Sequence, residues 1–280
     1  MMTNYKVHTF ELGAFTTESG EIINNLKLRY EHVGYTGQPL VVVLVVVCHA
    51  LTGNHLTYGT DTHHGWWREI IDGGYIPRHD YQFLTFNVIG SPFGSSSKKI
   101  DSKFSEQLTL RDIVKATEKG IQALGYRKIN ILIGGSLGGM QVMEMLYSNK
   151  FQVDKAIILA ATDKTPSYSR AFNEIARQAI HLDGKEGLSI ARQLGFLTYR
   201  SSKSYDQRFT PDEVVSYQQH QGNKFKEYFD LNCYLTLLDV LDSHNIDRGR
   251  DDVDKVFQSL ETKVLTKWAL LMIYSIQMIK

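Results

Sequence analysis

The 280-residue sequence has few cysteines, almost no net charge and no apolar run long enough to cross a bilayer. Cys48 and Cys233 are too few for a disulfide framework and fit a reducing compartment. The formal net charge is +1 without a dense run of Lys or Arg, so composition does not support a nucleic-acid or membrane-surface role. The apolar stretches 39–47 and 268–279 are shorter than the roughly 20 residues of a spanning helix. Because the N-terminus shows no secretory signal, we predict a cytoplasmic protein.

Strand-like and helical patterns alternate through the first 161 residues. Apolar residues form 42% and charged residues 22% of the chain, which is ordinary for a globular protein. Residues 1–35 alternate around a glycine turn and predict an antiparallel edge. Alternation of the later segments predicts βαβ units and a mostly parallel sheet covered on both faces. The predicted strands are 40–47, 82–89, 129–133 and 155–161, with helices at 108–124 and directly after residue 136.

The pattern changes after residue 161, where helical spacing continues without a strand. We predict a helical lid insertion over one end of the sheet, and the sheet resumes at 261–266. The predicted domains are therefore a core at 1–161, an insertion at 162–259 and the remainder of the core at 260–280. The helical segments of the insertion are expected at 168–182, 185–198, 211–227 and 230–242.

The segment Gly134–Gly139, GGSLGG, contains a G-x-S-x-G motif directly after a predicted strand and directly before a predicted helix. That context is typical of a nucleophile elbow, in which a sharp turn raises the serine Oγ above the sheet. Glycines flank the serine because a Cβ there would clash with neighbouring backbone. The alternative is a glycine-rich turn that only caps a helix. We predict that Ser136 is the nucleophile and that the N–H of Leu137 faces a developing oxyanion.

The buried strand at 40–47 ends in Cys48–Gly53, CHALTG. In hydrolase folds the loop after the corresponding strand donates the second oxyanion N–H. Here the donor would come from the Ala50–Leu51 region, and we assign it to Leu51. A strand-ending turn with a packing histidine is the alternative.

Eight blocks of the sequence resemble, in the same order, those of the homoserine O-acetyltransferases. The resemblance spans roughly residues 5–266 and implies an α/β-hydrolase fold with ping-pong acyl transfer from acetyl-CoA to the hydroxyl of homoserine. Acetyl-CoA would be a substrate, and no cofactor is implied. Ser136 matches the family nucleophile. The blocks are CHALTGNHLTYG, GWWREII, NVIGSPFGSSS, LTLRDIV, GGSLGGMQVMEM, AFNEIARQAI, ARQLGFLTYRS and DSHNIDRGR.

The resemblance also implies roles outside the elbow. Arg192 matches the arginine that holds the homoserine carboxylate, and a planar guanidinium suits bidentate carboxylate binding. Without the resemblance, a solvated helix arginine would be the simpler interpretation. The family is commonly dimeric through its helical region, which implies a homodimer. Succinyl transfer, acyl transfer to serine and a non-catalytic relic remain alternatives.

Other ionisable residues are weaker candidates. Asp242 and His244 precede the last predicted strand, whereas the fold orders its triad as Ser, Asp and His. The nearby Arg248 and Arg250 indicate an ion-paired turn there instead. His63 and His64 have no third ligand nearby, so we predict no metal site.

The family pattern continues after residue 266 with an acidic residue and later a catalytic His-Asp pair. This sequence instead reads KWALLMIYSIQMIK, with Leu271 where the acidic residue is expected. No Asp or Glu follows Glu261, and no His follows His244. We therefore expect a chain that ends before the C-terminal strand and helix, without the triad Asp and His, and a poor catalyst, because a serine without an adjacent base is a weak nucleophile.

Overall fold

The computed structural model describes residues 5–34, 43–73, 81–101, 104 and 107–267. Parts of the predicted features at 1–35 and 40–47, and the tail from 268 that includes Leu271, lie outside these residues. Among the described residues, no helix is both long and apolar enough to cross a membrane.

The central sheet is mostly parallel, as the sequence predicts. The order β1-β4-β6-β5-β7-β8-β9 places an antiparallel pair, β1 and β4, at one edge, and every neighbouring pair from β6 to β9 is parallel. The short strands β2 and β3 form a separate hairpin. The strands are β1 (Tyr5–Glu11), β2 (Phe15–Thr16), β3 (Ile22–Ile23), β4 (Lys27–Val33), β5 (Val43–Cys48), β6 (Tyr81–Phe86), β7 (Lys128–Gly135), β8 (Gln152–Leu159) and β9 (Lys263–Lys267).

Consecutive apolar residues make these strands suitable for the middle of a covered sheet. Val45 and Val47 on β5 pack with Phe83 on β6 and Ile133 on β7 in one buried cluster. The opposite side of β5 is buried as well, since Leu44, Val46 and Cys48 are almost fully covered. Burial on both sides explains why the strand reads VLVVVC instead of alternating with polar residues.

Helices accompany the parallel strands. Helix α2 begins with a capping box in which Thr109 and Asp112 bond reciprocally, and it buries Leu110, Ile113 and Ile121. Helix α3 follows β7 directly and buries most of its side chains. The helices of this part are α1 (Arg68–Asp72), α2 (Leu110–Ala123), α3 (Leu137–Ser148) and α8 (Val253–Ser259).

The described residues divide into two compact units. The sheet unit contains the residues up to Thr165 and Thr236–Lys267, and the helical unit contains Pro166–Leu235. The helical unit has no strand, as the sequence predicts, and the helix break predicted after residue 182 lies at Asp183 and Gly184, which leave helical geometry inside α4. Its helices are α4 (Ser167–Thr198), α5 (Ser202–Asp206), α6 (Pro211–Tyr228) and the first part of α7 (Leu231–Asp242).

The helical unit ends earlier than the predicted boundary at residue 259. Residues 236–259 belong to the sheet unit, where they form contacts with α3 and with the segment after β8. Arg250 pairs with Glu144 on α3 at 2.7 Å, and Ile246 N–H donates to Asp163 O at 2.9 Å. Helical spacing alone does not distinguish these residues from the insertion.

Candidate active site

Ser136 lies between the end of β7 and the first residue of α3. Its φ of 55° and ψ of −123° place a non-glycine residue in a strained region of backbone space. The Ser136 N–H donates to Leu159 O at 2.9 Å, which anchors the turn to β8. These angles are those of the strained turn that the motif predicts. The side chain is half-buried.

Close backbone approach explains the glycines on either side of Ser136. A Cβ on Gly134 would lie 2.2 Å from the carbonyl oxygen of Gly138. A Cβ on Gly138 would lie 2.1 Å from the carbonyl oxygen of Cys48 at the end of β5. Both distances are far below van der Waals contact, so only glycine lets α3 begin this close to the sheet. The sequence prediction that a Cβ would clash here is confirmed.

The backbone N–H groups of Leu51 and Leu137 have no acceptor among the described residues. Leu137 is the first residue of α3, where the helix offers no partner for its N–H and where the helix dipole is positive. Leu51 lies in a turn closed by a 2.9 Å hydrogen bond from Gly53 N–H to Ala50 O. β5 and β7 pair with Cys48 opposite Gly134, so this turn follows the strand beside the elbow. Both predicted donor residues therefore lie at the same end of the sheet.

His49 connects the turn after β5 to the loop after β6. Val88 N–H donates to its Nε2 at 3.0 Å, and its Nδ1 lies 2.8 Å from Ala50 O. The side chain is fully buried, and burial lowers the pKa of His49 to about 4, against a smaller raising effect of the Ala50 hydrogen bond. His49 is therefore neutral at ordinary pH. The sequence offered a packing histidine here only as an alternative.

Gln141 is a site residue that sequence analysis missed. Its side-chain Nε2–H groups donate to His49 O at 3.2 Å and to Leu137 O at 3.3 Å. One buried amide therefore joins the turn after β5 to the first turn of α3. Its position one helical turn after Leu137 could have indicated it, since residues four apart share a helix face.

Arg192 lies in the second half of α4, within the helical unit. Its guanidinium carbon lies 4.5 Å from the ring centre of Phe196 and 4.7 Å from that of Phe225. Nη1 donates to the hydroxyl oxygen of Tyr199 at a long 3.5 Å. The aromatic rings support the guanidinium plane through cation–π contacts. Ser136 lies in the sheet unit and Arg192 in the helical unit.

The segment around His244 forms an ion-paired turn, as the sequence predicts. Arg111 and Arg250 both contact the buried carboxylate of Glu144, at 3.5 and 2.7 Å. His244 donates from Nε2 to Thr162 O at 2.9 Å, and burial lowers its pKa despite the nearby Glu144 carboxylate. In the described part of the chain, neither His244 nor any other residue is hydrogen-bonded to the Ser136 Oγ.

The other residues considered, His63, His64, Trp66 and Trp67, lie between β5 and α1. Among the described residues no cluster of three or more His, Cys, Asp or Glu side chains could hold a metal ion. His63 and His64 lie in an exposed turn. Trp66 and Trp67 pack on each other, with ring centres 4.9 Å apart.

Comparison with known proteins identifies relatives over most of the chain. Residues 43–243 match the alpha/beta hydrolase fold family. The chain is 31% identical to "Homoserine O-acetyltransferase" of Citrifermentans bemidjiense, over 91% of this chain and 80% of that protein. It is 30% identical to the protein of the same name from Moorella thermoacetica, over 86% and 75%. A crystal structure of homoserine o-acetyltransferase from Staphylococcus aureus superimposes with a TM-score of 0.90 and 81% identity, over 94% of this chain and 79% of that one.

Proposed function

The chain belongs to the homoserine O-acetyltransferase family of α/β-hydrolase-fold acyltransferases, and from that premise we propose that it transfers an acetyl group from acetyl-CoA to L-homoserine through an acyl-Ser136 intermediate. In the first half-reaction the Ser136 Oγ attacks the thioester carbonyl carbon. The C–S bond breaks, coenzyme A leaves as its thiol with the serine proton, and an ester forms. In the second, the homoserine hydroxyl attacks that ester, and Ser136 regains its proton.

The elbow is the observation that supports this proposal most. Ser136 is raised on a strained turn, and the N–H groups of Leu51 and Leu137 are uncommitted among the described residues. Fixed N–H donors stabilise the negative oxygen of a tetrahedral intermediate, and they cost no reorganisation when it forms. The arrangement therefore suits acyl transfer at either step.

Arg192 is the proposed anchor for the acceptor's carboxylate. The rings of Phe196 and Phe225 lie against the guanidinium of Arg192, and a planar guanidinium matches the two oxygens of a carboxylate in a bidentate contact. Its match to the family arginine supports the same role.

The base that takes the Ser136 proton is unassigned among the described residues, so the first test measures acylation. The chain is incubated with acetyl-CoA and digested, and the acetylated peptide is identified by mass. We expect acetyl on Ser136, none after Ser136→Ala, and no change after Ser259→Ala, an exposed serine in α8. Acetylation spread over other serines, with none on Ser136, would contradict the proposal.

A turnover assay then tests substrate choice. Coenzyme A release is compared with acetyl-CoA or succinyl-CoA as donor and homoserine or serine as acceptor, with the Staphylococcus aureus relative as positive control. We expect the acetyl-CoA and homoserine pair to be fastest. Preference for another pair would reassign the substrate, and acylation without turnover would favour a non-catalytic relic.

The Arg192 role is tested by Arg192→Lys in the same assay. A lysine ammonium keeps the positive charge but lacks the two parallel N–H groups of a guanidinium. KM for homoserine should therefore rise about tenfold or more, while KM for acetyl-CoA changes little. Arg208→Lys is the matched control, because Arg208 also lies over an aromatic ring, that of Phe209, in the helical unit. Equal effects on both substrates would indicate a structural arginine.

We also propose that the chain forms a homodimer through α4 and that it resides in the cytoplasm. Each half of α4 exposes apolar side chains seven residues apart, Ile175 with Leu182 and Ile190 with Leu197, and a second copy could cover such stripes. Ile190→Glu should shift the molar mass in light scattering to that of a monomer, whereas Ile22→Glu, at another exposed isoleucine, in β3, should not. The cytoplasmic location is supported by two buried cysteines that are both free thiols.

A further inference from the structure

The peptide between Ala50 and Leu51 is held from its carbonyl side. Ala50 O accepts from Gly53 N–H at 2.9 Å and lies 2.8 Å from Nδ1 of His49. A trans peptide is planar, with its N–H directed opposite to its C=O. Whatever fixes the Ala50 oxygen therefore also fixes the direction of the Leu51 N–H.

The hydrogen bonds of His49 determine its tautomer. Val88 N–H can only donate, so Nε2 of His49 is the acceptor in that 3.0 Å bond and has no proton. The ring proton is therefore on Nδ1, which donates it to Ala50 O. Protonation of Nε2 would break the Val88 bond, and burial of the ring opposes it.

A second contact connects this turn to the nucleophile. The carbonyl oxygen of His49 accepts from Gln141, whose other N–H donates to Leu137 O. His49 thus bonds on three sides: to the peptide of Leu51, to the loop after β6 and to the first turn of α3. A histidine that only packed in the interior would not require a hydrogen bond at either ring nitrogen.

We propose that His49 is a positioning residue for acyl transfer: its Nδ1–H holds the Ala50–Leu51 peptide so that the Leu51 N–H faces the oxyanion formed at Ser136. This inference rests on the proposed function, because it assumes that the oxyanion forms there. His49 touches no reacting atom and acts through the backbone of its neighbours.

Two variants separate the two ring nitrogens. In His49→Asn the side-chain amide reaches the place of Nδ1 and can still donate to Ala50 O, but the acceptor for Val88 N–H is lost. In His49→Gln the amide oxygen reaches the place of Nε2 and can accept from Val88, but the donor to Ala50 O is lost. A purely structural role predicts that stability and reactivity fall together in both variants.

The first readout is the rate of Ser136 acylation by p-nitrophenyl acetate, followed by nitrophenolate release and by the mass of the labelled peptide. Removal of one oxyanion donor costs about 10²–10³ in rate, so His49→Gln should acylate roughly 100-fold more slowly at saturation with little change in half-saturation. His49→Asn should stay within about tenfold of the wild type and yet show the lower Tm of the two, because a buried N–H loses its acceptor. Equal losses of rate in both variants would overturn the proposal.

The second readout does not need an active serine. In protein labelled with ¹⁵N-leucine, the Leu51 amide resonance should move, and exchange with solvent faster, in His49→Gln but not in His49→Asn. An unchanged Leu51 amide in His49→Gln would overturn the positioning role whatever the kinetics. No label on wild-type Ser136 together with a displaced Leu51 amide in His49→Gln would instead refute the proposed function, and with it the role in acyl transfer, while the hold of His49 on the Ala50–Leu51 peptide would stand.

Discussion

The two units hold their candidate functional residues in different ways. In the sheet unit, Ser136 and Leu51 are held by hydrogen bonds to main-chain carbonyls: the Ser136 N–H bond to Leu159 O, and the bonds from Gly53 N–H and the His49 ring to Ala50 O. In the helical unit, Arg192 is a long side chain supported on aromatic rings. The proposed nucleophile and oxyanion donor are thus positioned by hydrogen bonds to the main chain, and the proposed substrate anchor by contacts between side chains. Matched substitutions in the two units should therefore differ sharply.

Glycine substitutions should give the largest difference. Gly138→Ala would place its Cβ 2.1 Å from Cys48 O, and because two main chains must separate, we expect a loss of about 4 kcal/mol or more in the free energy of unfolding. Gly195→Ala in α4 would meet only the Tyr199 hydroxyl, at 3.5 Å, and should stabilise by about 0.5–1 kcal/mol through helix propensity. Urea unfolding of both variants measures this. A stable Gly138→Ala would contradict the close approach of α3 to β5.

Buried and exposed carboxylates give the next comparison. Glu144→Gln would leave Arg111 and Arg250 beside an uncharged amide in a buried place, and we expect a loss of about 3 kcal/mol. Glu186 in α4 pairs with Lys226 at 2.5 Å on the surface, so Glu186→Gln should cost less than about 1 kcal/mol. Unfolding in 0.5 M NaCl is the control. The salt should reduce the loss caused by Glu186→Gln and leave the loss caused by Glu144→Gln unchanged. Similar losses in the free energy of unfolding for the two variants would mean that the buried ion pairs of the sheet unit stabilise it no more than the surface pair stabilises the helical unit.

The ion pairs of Glu144 with Arg111 and Arg250 also show how far the sequence predicts this structure. The elbow and the break in α4 were predictable because glycines mark each of them within a short stretch of sequence, at Gly134–Gly138 and at Gly184. The end of the helical unit was not, because Arg250 reaches Glu144 across 106 residues and its spacing still reads as helix. The His49 contacts fall between these cases: one partner is the next residue, and the other, Val88, is 39 residues away. Contacts between distant segments leave no periodic signal.

Acid should destabilise the sheet unit through His49. Its pKa in the folded chain is about 4, below the ordinary 6.5, so the unfolded chain binds the proton more readily. The stability that this group provides is complete above about pH 6.5 and is lost as the pH falls towards 4, on the order of 2 kcal/mol. The unfolding free energy of His49→Asn should therefore decline less than that of the wild type between pH 7 and 4.5. Hydrogen exchange should place the acid-induced opening in the sheet unit, and parallel pH curves for both proteins would contradict this origin.

The smallest expected difference is between two helix caps with the same chemistry. Thr109 begins α2 and Thr210 begins α6, and each forms a reciprocal box with the carboxylate three residues later. The Asp112 carboxylate is buried and also accepts from Glu18 N–H at 2.6 Å, whereas Glu213 is exposed. Thr109→Ala should therefore cost about 1–2 kcal/mol, since part of a buried network loses a partner, and Thr210→Ala should cost less. Thr→Ser at each position keeps the cap oxygen and should restore most of the loss. Thermal unfolding could instead show equal losses of stability at the two caps. The hydrogen-bond network around the α2 cap would then add nothing to the cap itself, and the contrast between the two units would be confined to the elbow.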